Sequence, residues 1–439
     1  MRLPQGFKRK SGSKSSKDGR DPAQKDRDRI LYTAALRRLA GVTQVVGAVE
    51  GHVYHNRLTH TLEVAQIARG LAERLCSRHK ALRDKSSPDF VSPTVVEAAA
   101  LAHDLGHPPF GHVAEETLRE CVGQDAGGFE GNAQSFRIIT KLAAHRTAYK
   151  GLDLTRATLN ATLKYPWMNL DPSAPRQDKF GAYQTEADEF AWTRQSSSGY
   201  ERTLEASIMD YADDIAYSVH DVDDFFRAGL IPLHDPQAML DRGEFADFQK
   251  SARFPKGTSV NVARRTVTKR LKGFPIQGPY TGTYEERAKY RTLSSRLIDD
   301  FISSPTIVKQ GGQSVLRPND EHLVQIAFLK NLVWKYVIEN DRLATQQQGQ
   351  ITTIKGLFQI YMSAILDRKS GKALLPPTFA TEWELQDLAR WGGDKCQHDR
   401  GVRRLAADVI ASFTDHQATV MYHRLTGVSS GSVHDRLWG

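Results

Sequence analysis

The chain has 439 residues, 40% of them hydrophobic and 25% charged, the balance of a water-exposed globular protein long enough for two or three domains. No apolar run approaches the ~18 residues that span a bilayer, and the basic N-terminus lacks the apolar stretch of a signal peptide, so the expected setting is cytoplasmic, with no membrane partner. Three cysteines (Cys76, Cys121 and Cys396), odd in number and far apart, exclude a disulfide framework and a structural zinc site and leave reduced, inert thiols.

The net charge of +9 is unevenly placed, with ten Lys and Arg against four Asp and Glu in residues 1–30. Residues 1–26 are rich in Ser, Gly and Lys and poor in large apolar side chains, which predicts a disordered basic tail. Such a tail suits a weak nucleic-acid or polyphosphate contact, and suits a solubilising arm better. The remainder is too mildly basic to be a nucleic-acid binder on charge alone.

From Asp28 onward the apolar spacing is helical almost throughout. Ile30, Ala34, Ala35, Leu36 and Leu39 recur at helical intervals, and Leu62, Ala65, Ile67, Ala68, Leu71, Ala72 and Leu75 form an apolar stripe with charge opposite. Gln44–Val49 and Gly51–Tyr54 alternate as one short hairpin would. Ser92-Pro93 reads as a cap and first helical residue, opening a buried helix over Val95–Leu105 that ends at Gly106, with Pro108 and Pro109 preventing its continuation. His103 and Asp104 then fall in its last turn. Further helices are predicted at Val113–Cys121, Asn132–His145, Leu154–Lys164, Leu204–Ala228, Thr281–Ile302, Leu323–Glu339, Thr353–Leu366, Glu382–Arg390 and Val402–Leu425. Segments 165–200 and 229–280, rich in Pro, Gly, Gln and Ser, read as loops or insertions. The fold class is mainly α, without internal repeats.

Chemistry concentrates around His103-Asp104. Imidazole and carboxylate suit Mg, Mn, Fe, Co or Zn, with no thiolate to demand a softer ion. Neighbours on a helix diverge by ~100°, so His103 and Asp104 meet one ion only at a helix end. His60 opens another helix, and Asp213 brings a second carboxylate from a third. A lone His-Asp pair is usually a surface acid beside a capping histidine; the apolar run Ala98–Ala102 before this one argues for a buried pair that needs a partner. His107 and His112 flank the turn Pro108-Pro109-Phe110-Gly111. Glu115 lies three residues after His112 on the same helix face, where a carboxylate orients an imidazole for general-acid work; a lone histidine here would simply cap a helix. Asp213, Tyr217 and Asp221, spaced by four, share a helix face suited to a sugar beside a phosphate. Arg57, Lys164 and Lys179 are the cations that could meet a polyphosphate, and no Walker or Gly-x-Gly-x-x-Gly loop is present.

Taken together, these blocks resemble the HD-domain deoxynucleoside triphosphate triphosphohydrolases of the bacterial dGTPase-like kind. The blocks are 26–31, 37–45, Asn56-Arg57-Leu58-Thr59-His60-Thr61-Leu62-Glu63-Val64, 102–112, Phe129-Glu130-Gly131-Asn132-Ala133-Gln134-Ser135, 212–218, and Asp408-Val409-Ile410-Ala411 through Asp415. The likeness runs from about residue 26 to residue 426 and is weak across 229–340. It implies an HD-type metallohydrolase core over 27–230, with a helical C-terminal region, 231–439, packed on it. By the resemblance, His60, His103, Asp104 and Asp213 would hold a divalent metal, Mg2+ or Mn2+ before Fe, Co or Zn. His112, backed by Glu115, would act at the leaving group, with His107 against the phosphates. Gln44, Arg57, Asn132, Tyr217 and Asp221 would line the nucleotide pocket, Gln44 and Asp221 near the 3′-hydroxyl, and Lys164 would meet phosphate. Some family members carry histidine where Asn132 stands. The implied reaction cleaves a dNTP to deoxynucleoside and inorganic triphosphate, in a homo-oligomer that can take a nucleotide effector. Two other readings are an HD-class 5′-nucleotidase or phosphodiesterase, and a nucleotide- or DNA-sensing module.

Overall fold

The structure is a computed structural model describing residues 5–12, 19–45, 55–197, 199–235, 254–255, 258–271, 278–367, 374–379 and 395–431. It is mainly helical, as the periodicity predicts. In chain order the described helices are α1 (Pro22–Leu31), α2 (Ala34–Arg38), α3 (Arg57–Arg78), α4 (Lys80–Arg83), α5 (Pro93–Ala102), α6 (His112–Val122), α7 (Gly131–Arg137) and α8 (Arg156–Ala161). There follow α9 (Ala187–Arg194), α10 (Leu204–Arg227), α11 (Val260–Leu271), α12 (Tyr284–Ser303), α13 (Asp320–Val333), α14 (Asp341–Leu366), α15 (Lys395–Ala411) and α16 (Asp415–Leu425). Between α12 and α13 an antiparallel hairpin pairs β1 (Thr306–Gln310) with β2 (Gln313–Arg317). No described helix is long and apolar enough to cross a membrane.

The helix that matters most for the site is α3. Its N-cap Asn56 accepts from the Thr59 amide, which fixes where the first turn begins and so places Arg57 and His60. Its buried stripe continues through Val64, Ile67, Ala68, Leu71 and Leu75. Ser92 caps α5 through the Val95 amide, with Pro93 in the first turn. Its run Ala98-Ala99-Ala100 is small enough for close packing against α3, and α10 lies across both. These three helices, with α1, α8 and α11–α13, enclose the larger hydrophobic core. A second core, built on Leu118 and Val122 of α6, Leu357 and Tyr361 of α14, Val402 and Ile410 of α15 and Met421 of α16, stands beside it.

Several expectations change. The spacing from Ile30 to Leu39 breaks at Thr33, whose side chain caps α2 through the Leu36 amide. The stretch predicted as one helix over Val402–Leu425 divides at Ser412–Thr414, because Thr414 and Gln417 form a reciprocal capping box that restarts the chain as α16. Residues 138–142 and 334–338 continue α7 and α13 as π-helical turns. Two segments read as loops contain α9 and α11. The hairpin expected around 44–54 falls largely outside the described residues, as does the helix expected over Glu382–Arg390. Residues 5–12 and 19–26, expected to be disordered, are held in part by a buried acid. Asp26 lies inside the body, accepting from the Thr155 amide (2.8 Å) and from the Thr155 and Thr158 hydroxyls (2.6 and 2.7 Å). A carboxylate so enclosed needs a cation, and Arg9 supplies it at 2.7 Å. Cys76 and Cys121 are free thiols.

Candidate metal centre and active site

His103 caps the end of α5 and Asp104 follows it in the turn 103–106, so both sit just past the helix rather than in its last turn. Leaving the helix lets two sequence neighbours face one point. Gly106 is required here by proximity: a Cβ would stand 2.2 Å from the Gly131 carbonyl oxygen and 2.3 Å from the Ser135 amide. The Ser135 hydroxyl donates to the His103 carbonyl (2.8 Å) and accepts from the Gly106 amide (2.9 Å), locking the turn to α7.

The four predicted donors converge. One nitrogen each of His60 and His103 and one oxygen of Asp104 lie within 4.8 Å of one another. Asp213 Oδ1, from α10, is 3.2 Å from His60 Nε2 and 3.7 Å from His103 Nε2. His103 Nδ1 donates to the Ala100 carbonyl at 2.6 Å, which fixes the tautomer that turns the Nε2 lone pair inward. That buried Nε2 makes no hydrogen bond, although Asp104 Oδ1 stands 3.3 Å away. An orphaned buried nitrogen among two carboxylates and a second imidazole is a donor set that fits a divalent cation.

The two carboxylates at this point stay ionised in spite of their burial. Burial alone would raise Asp104, yet His103, His107 and Arg57 hold its carboxyl well below the usual range. Asp213 is likewise held low against burial by Lys164, His103 and His60. For His103, burial is outweighed by Asp104 and Asp213, and the imidazole is pushed up to about 9. His107, 3.0 Å from Asp104 Oδ1, is instead lowered by burial and by Arg57.

Around this centre the remaining candidates take distinct places. His112 begins α6, and its Nδ1 meets Glu115 Oε2 at 2.9 Å. The imidazole is 67% exposed while its carboxylate partner is 3% exposed, so the ring is oriented from behind and open in front. The His107 and His112 rings lie edge to face, 5.7 Å apart. Arg57 pairs with Asp104 Oδ2 at 2.7 Å and reaches the Gln44 carbonyl. Lys164 bridges Asp210 (2.7 Å) and Asp213 (2.9 Å). Asn132, in the first turn of α7, is tied to that helix's N-cap Glu130. Tyr217 and Asp221 follow Asp213 at one and two turns along α10. Lys179, a phosphate candidate from sequence, is instead clamped between Glu115 and Glu130, 3.1 Å from each.

Two further buried groups, Gln44 Oε1 and Asp221 Oδ2, have no hydrogen-bond partner. Burial and the neighbouring Asp224 hold Asp221 well above the usual carboxyl range. A neutral carboxyl both donates and accepts, which matches a sugar hydroxyl.

Sequence reasoning passed over two residues that shape the site. Arg38 donates to the Leu105 and His107 carbonyls (both 2.8 Å) and to that of Phe413 (3.0 Å). Asp415, first residue of α16, accepts from the Thr43 amide (3.0 Å) and the Phe110 amide (2.8 Å). Phe110 carries a left-handed φ of 64°, uncommon for a residue with a side chain, and the Asp415 contact helps keep it there. Both residues lay inside quoted motif blocks, but their partners are too distant along the chain for spacing to reveal.

Imidazoles and carboxylates brought from α3, the turn after α5, and α10 define an HD-type phosphohydrolase. An HD domain matches residues 57–218, and a phosphohydrolase-associated domain matches residues 317–424. The chain is 36% identical to a deoxyguanosinetriphosphate triphosphohydrolase-like protein of Streptomyces coelicolor, over 93% of both chains. It is 34% identical to the protein of that description from Corynebacterium efficiens, over 94% of this chain and 93% of the relative. A Shewanella relative is 29% identical over 94% of both. The chain belongs to this family of deoxyguanosinetriphosphate triphosphohydrolase-like hydrolases.

Proposed function

We propose that this hydrolase cleaves deoxynucleoside triphosphates, of the dGTP type, to a deoxynucleoside and inorganic triphosphate with a divalent cation held by His60, His103, Asp104 and Asp213. The observation that carries the reading is the convergence of those four donors, with His103 Nε2 unbonded at their centre. When bound, the cation, Mg2+ or Mn2+ in this reading, supplies Lewis-acid polarisation of a phosphoryl oxygen and neutralises developing charge.

The chain's own residues do the rest. Water attacks the α-phosphorus and releases a proton to solvent, the bond from phosphorus to the 5′-oxygen breaks, and His112 delivers a proton to that oxygen as it leaves, to be reprotonated from solvent. Glu115 holds His112 by Nδ1, so Nε2 is the nitrogen free to face the leaving group. His107 and Arg57 flank the phosphates, and Lys164, which pairs with Asp213 at 2.9 Å, turns to join them. Asp221 and Gln44 offer their unpartnered oxygens to the sugar 3′-hydroxyl, and Tyr217 and Asn132 line the nucleotide pocket with them.

Purified protein incubated with each dNTP and Mg2+ or Mn2+, its products resolved by ion chromatography, tests the reading. Inorganic triphosphate with free deoxynucleoside is the expected outcome. Orthophosphate or a nucleoside monophosphate would favour the nucleotidase or phosphodiesterase alternative. No turnover of any dNTP would favour a sensing role.

A further inference from the structure

The helices that carry His60 and Asp213 bring together a second set of metal-ligating side chains. His55 lies just before α3, Glu63 one turn after His60 on α3, and His220 and Asp224 in the C-terminal half of α10. One ligand atom each from His55, Glu63 and His220 lies within 4.8 Å of the others. His55 Nε2 is 3.0 Å from Glu63 Oε1, and His220 Nδ1 touches Glu63 Oε2. Atoms bound to one tetrahedral zinc ion lie about 3.3 Å apart, given bonds of ~2.0–2.1 Å. The cluster is therefore already near the size such an ion requires.

The surroundings are those of a ligand set rather than a chance contact. Asp224 Oδ2 accepts from the His55 ring at Nδ1 (2.7 Å) and from the His55 backbone amide (2.6 Å). A carboxylate behind an imidazole, fixing the tautomer that presents Nε2, is how proteins orient histidines toward metals. Asp224 is 4% exposed, and its other oxygen, Oδ1, has no partner. The His55 and His220 rings stack with centroids 5.4 Å apart and planes inclined by 13°. Two stacked imidazoles thus flank the half-buried Glu63, with the buried Asp224 behind one of them.

We propose that His55, Glu63 and His220, oriented by Asp224, form a second cation site of the zinc class, separate from the four-donor centre. Two imidazoles and one carboxylate favour zinc or a similar transition-metal ion over Mg2+, which prefers oxygen ligands and keeps its water. An ion here ties the segment at His55 to both α3 and α10. It sits in the helical turn that presents Asp221, next in sequence to His220, to the sugar pocket. The inference stands independently of the reaction proposed above, since it concerns which ions the chain holds.

The test is metal content. Full-length protein is stripped with chelator, dialysed against Zn2+ and counted by inductively coupled plasma mass spectrometry, with folding checked by circular dichroism. Wild type is expected to hold two zinc ions per chain, and the double variant Glu63→Gln/His220→Ala one. A wild-type count of one that the double variant leaves unchanged overturns the proposal. Crystals of the unaltered protein soaked in Zn2+ give a check independent of how any variant folds. An anomalous peak between His55, Glu63 and His220 supports the site, and a peak at His60, His103, Asp104 and Asp213 alone overturns it, the cluster then being a hydrogen-bonded His–Glu–His array.

Discussion

The two sides of the active site are built on different cores. The proposed metal donors belong to α3, the turn after α5 and α10, packed in the larger core, and every one of the four is mostly buried. The proposed leaving-group side belongs to α6, whose apolar face lies in the second core with α14, α15 and α16, and there His112 is open to solvent. The first arrangement suits holding an ion in fixed geometry. The second suits a proton donor that must meet a substrate arriving from water. Polar ties join them, among them Arg38 to the 105–107 turn and Phe413, Asp415 to Thr43 and Phe110, and Arg137 to Asp408. The relative placement of the two sides thus rests in part on residues outside both the four-donor cluster and the His112–Glu115 pair.

This division can be broken from either side. Asp213→Asn removes a charge from the buried centre and is expected to abolish turnover, while circular dichroism and the melting curve stay near wild type; residual activity near wild type would remove Asp213 from the centre. His112→Ala is expected to lower kcat by about 10²- to 10⁴-fold with little change in KM, the signature of a lost general acid, measured by steady-state kinetics. Metal content in that variant should be unaltered, because His112 lies on the other core.

The joint itself is sharpened by Asp415→Asn. The residue stays polar but loses the charge that gathers the Thr43 and Phe110 amides, and Phe110 is free to leave its left-handed φ. A misplaced acid predicts a fall in kcat of about tenfold with the metal count unchanged; a loss of metal would mean that the two sides are not separable. The smallest effect concerns pH. Burial pushes Glu205, at the start of α10, up to about 7. A carboxyl raised in the folded state favours folding while protonated, so its contribution fades as pH rises from about 4.5 through about 7. Glu205→Gln is therefore expected to raise the melting temperature slightly at pH 8 and leave it unchanged at pH 4, checked by calorimetry at both.

Local signals made much of this legible in the sequence. Asn56 and Ser92 each announce a helix start, and the alanine run before His103 announces burial. The four donors follow from motif blocks that the fold then superposes. What escaped was either long-range or locally ambiguous. Asp415 acts on residues 372 and 305 positions earlier in the chain, which no local spacing encodes. The turn Gly311-Gly312 after the β-branched Thr306-Ile307-Val308 was a hairpin signal overshadowed by the helices on either side. Basic residues 8–10 read as solvated until the buried Asp26 gives Arg9 a partner. The His55–Glu63–His220–Asp224 group emerges only when α3 and α10 lie side by side, because its members come from segments more than 150 residues apart in the chain.

The most direct test of the account is to run the reaction on dGTP with Mn2+ in 18O-labelled water and to weigh both products. Attack at the α-phosphorus predicts one labelled oxygen in inorganic triphosphate and an unlabelled deoxyguanosine. Label in the nucleoside, or in orthophosphate released from the far end of the chain, would contradict it.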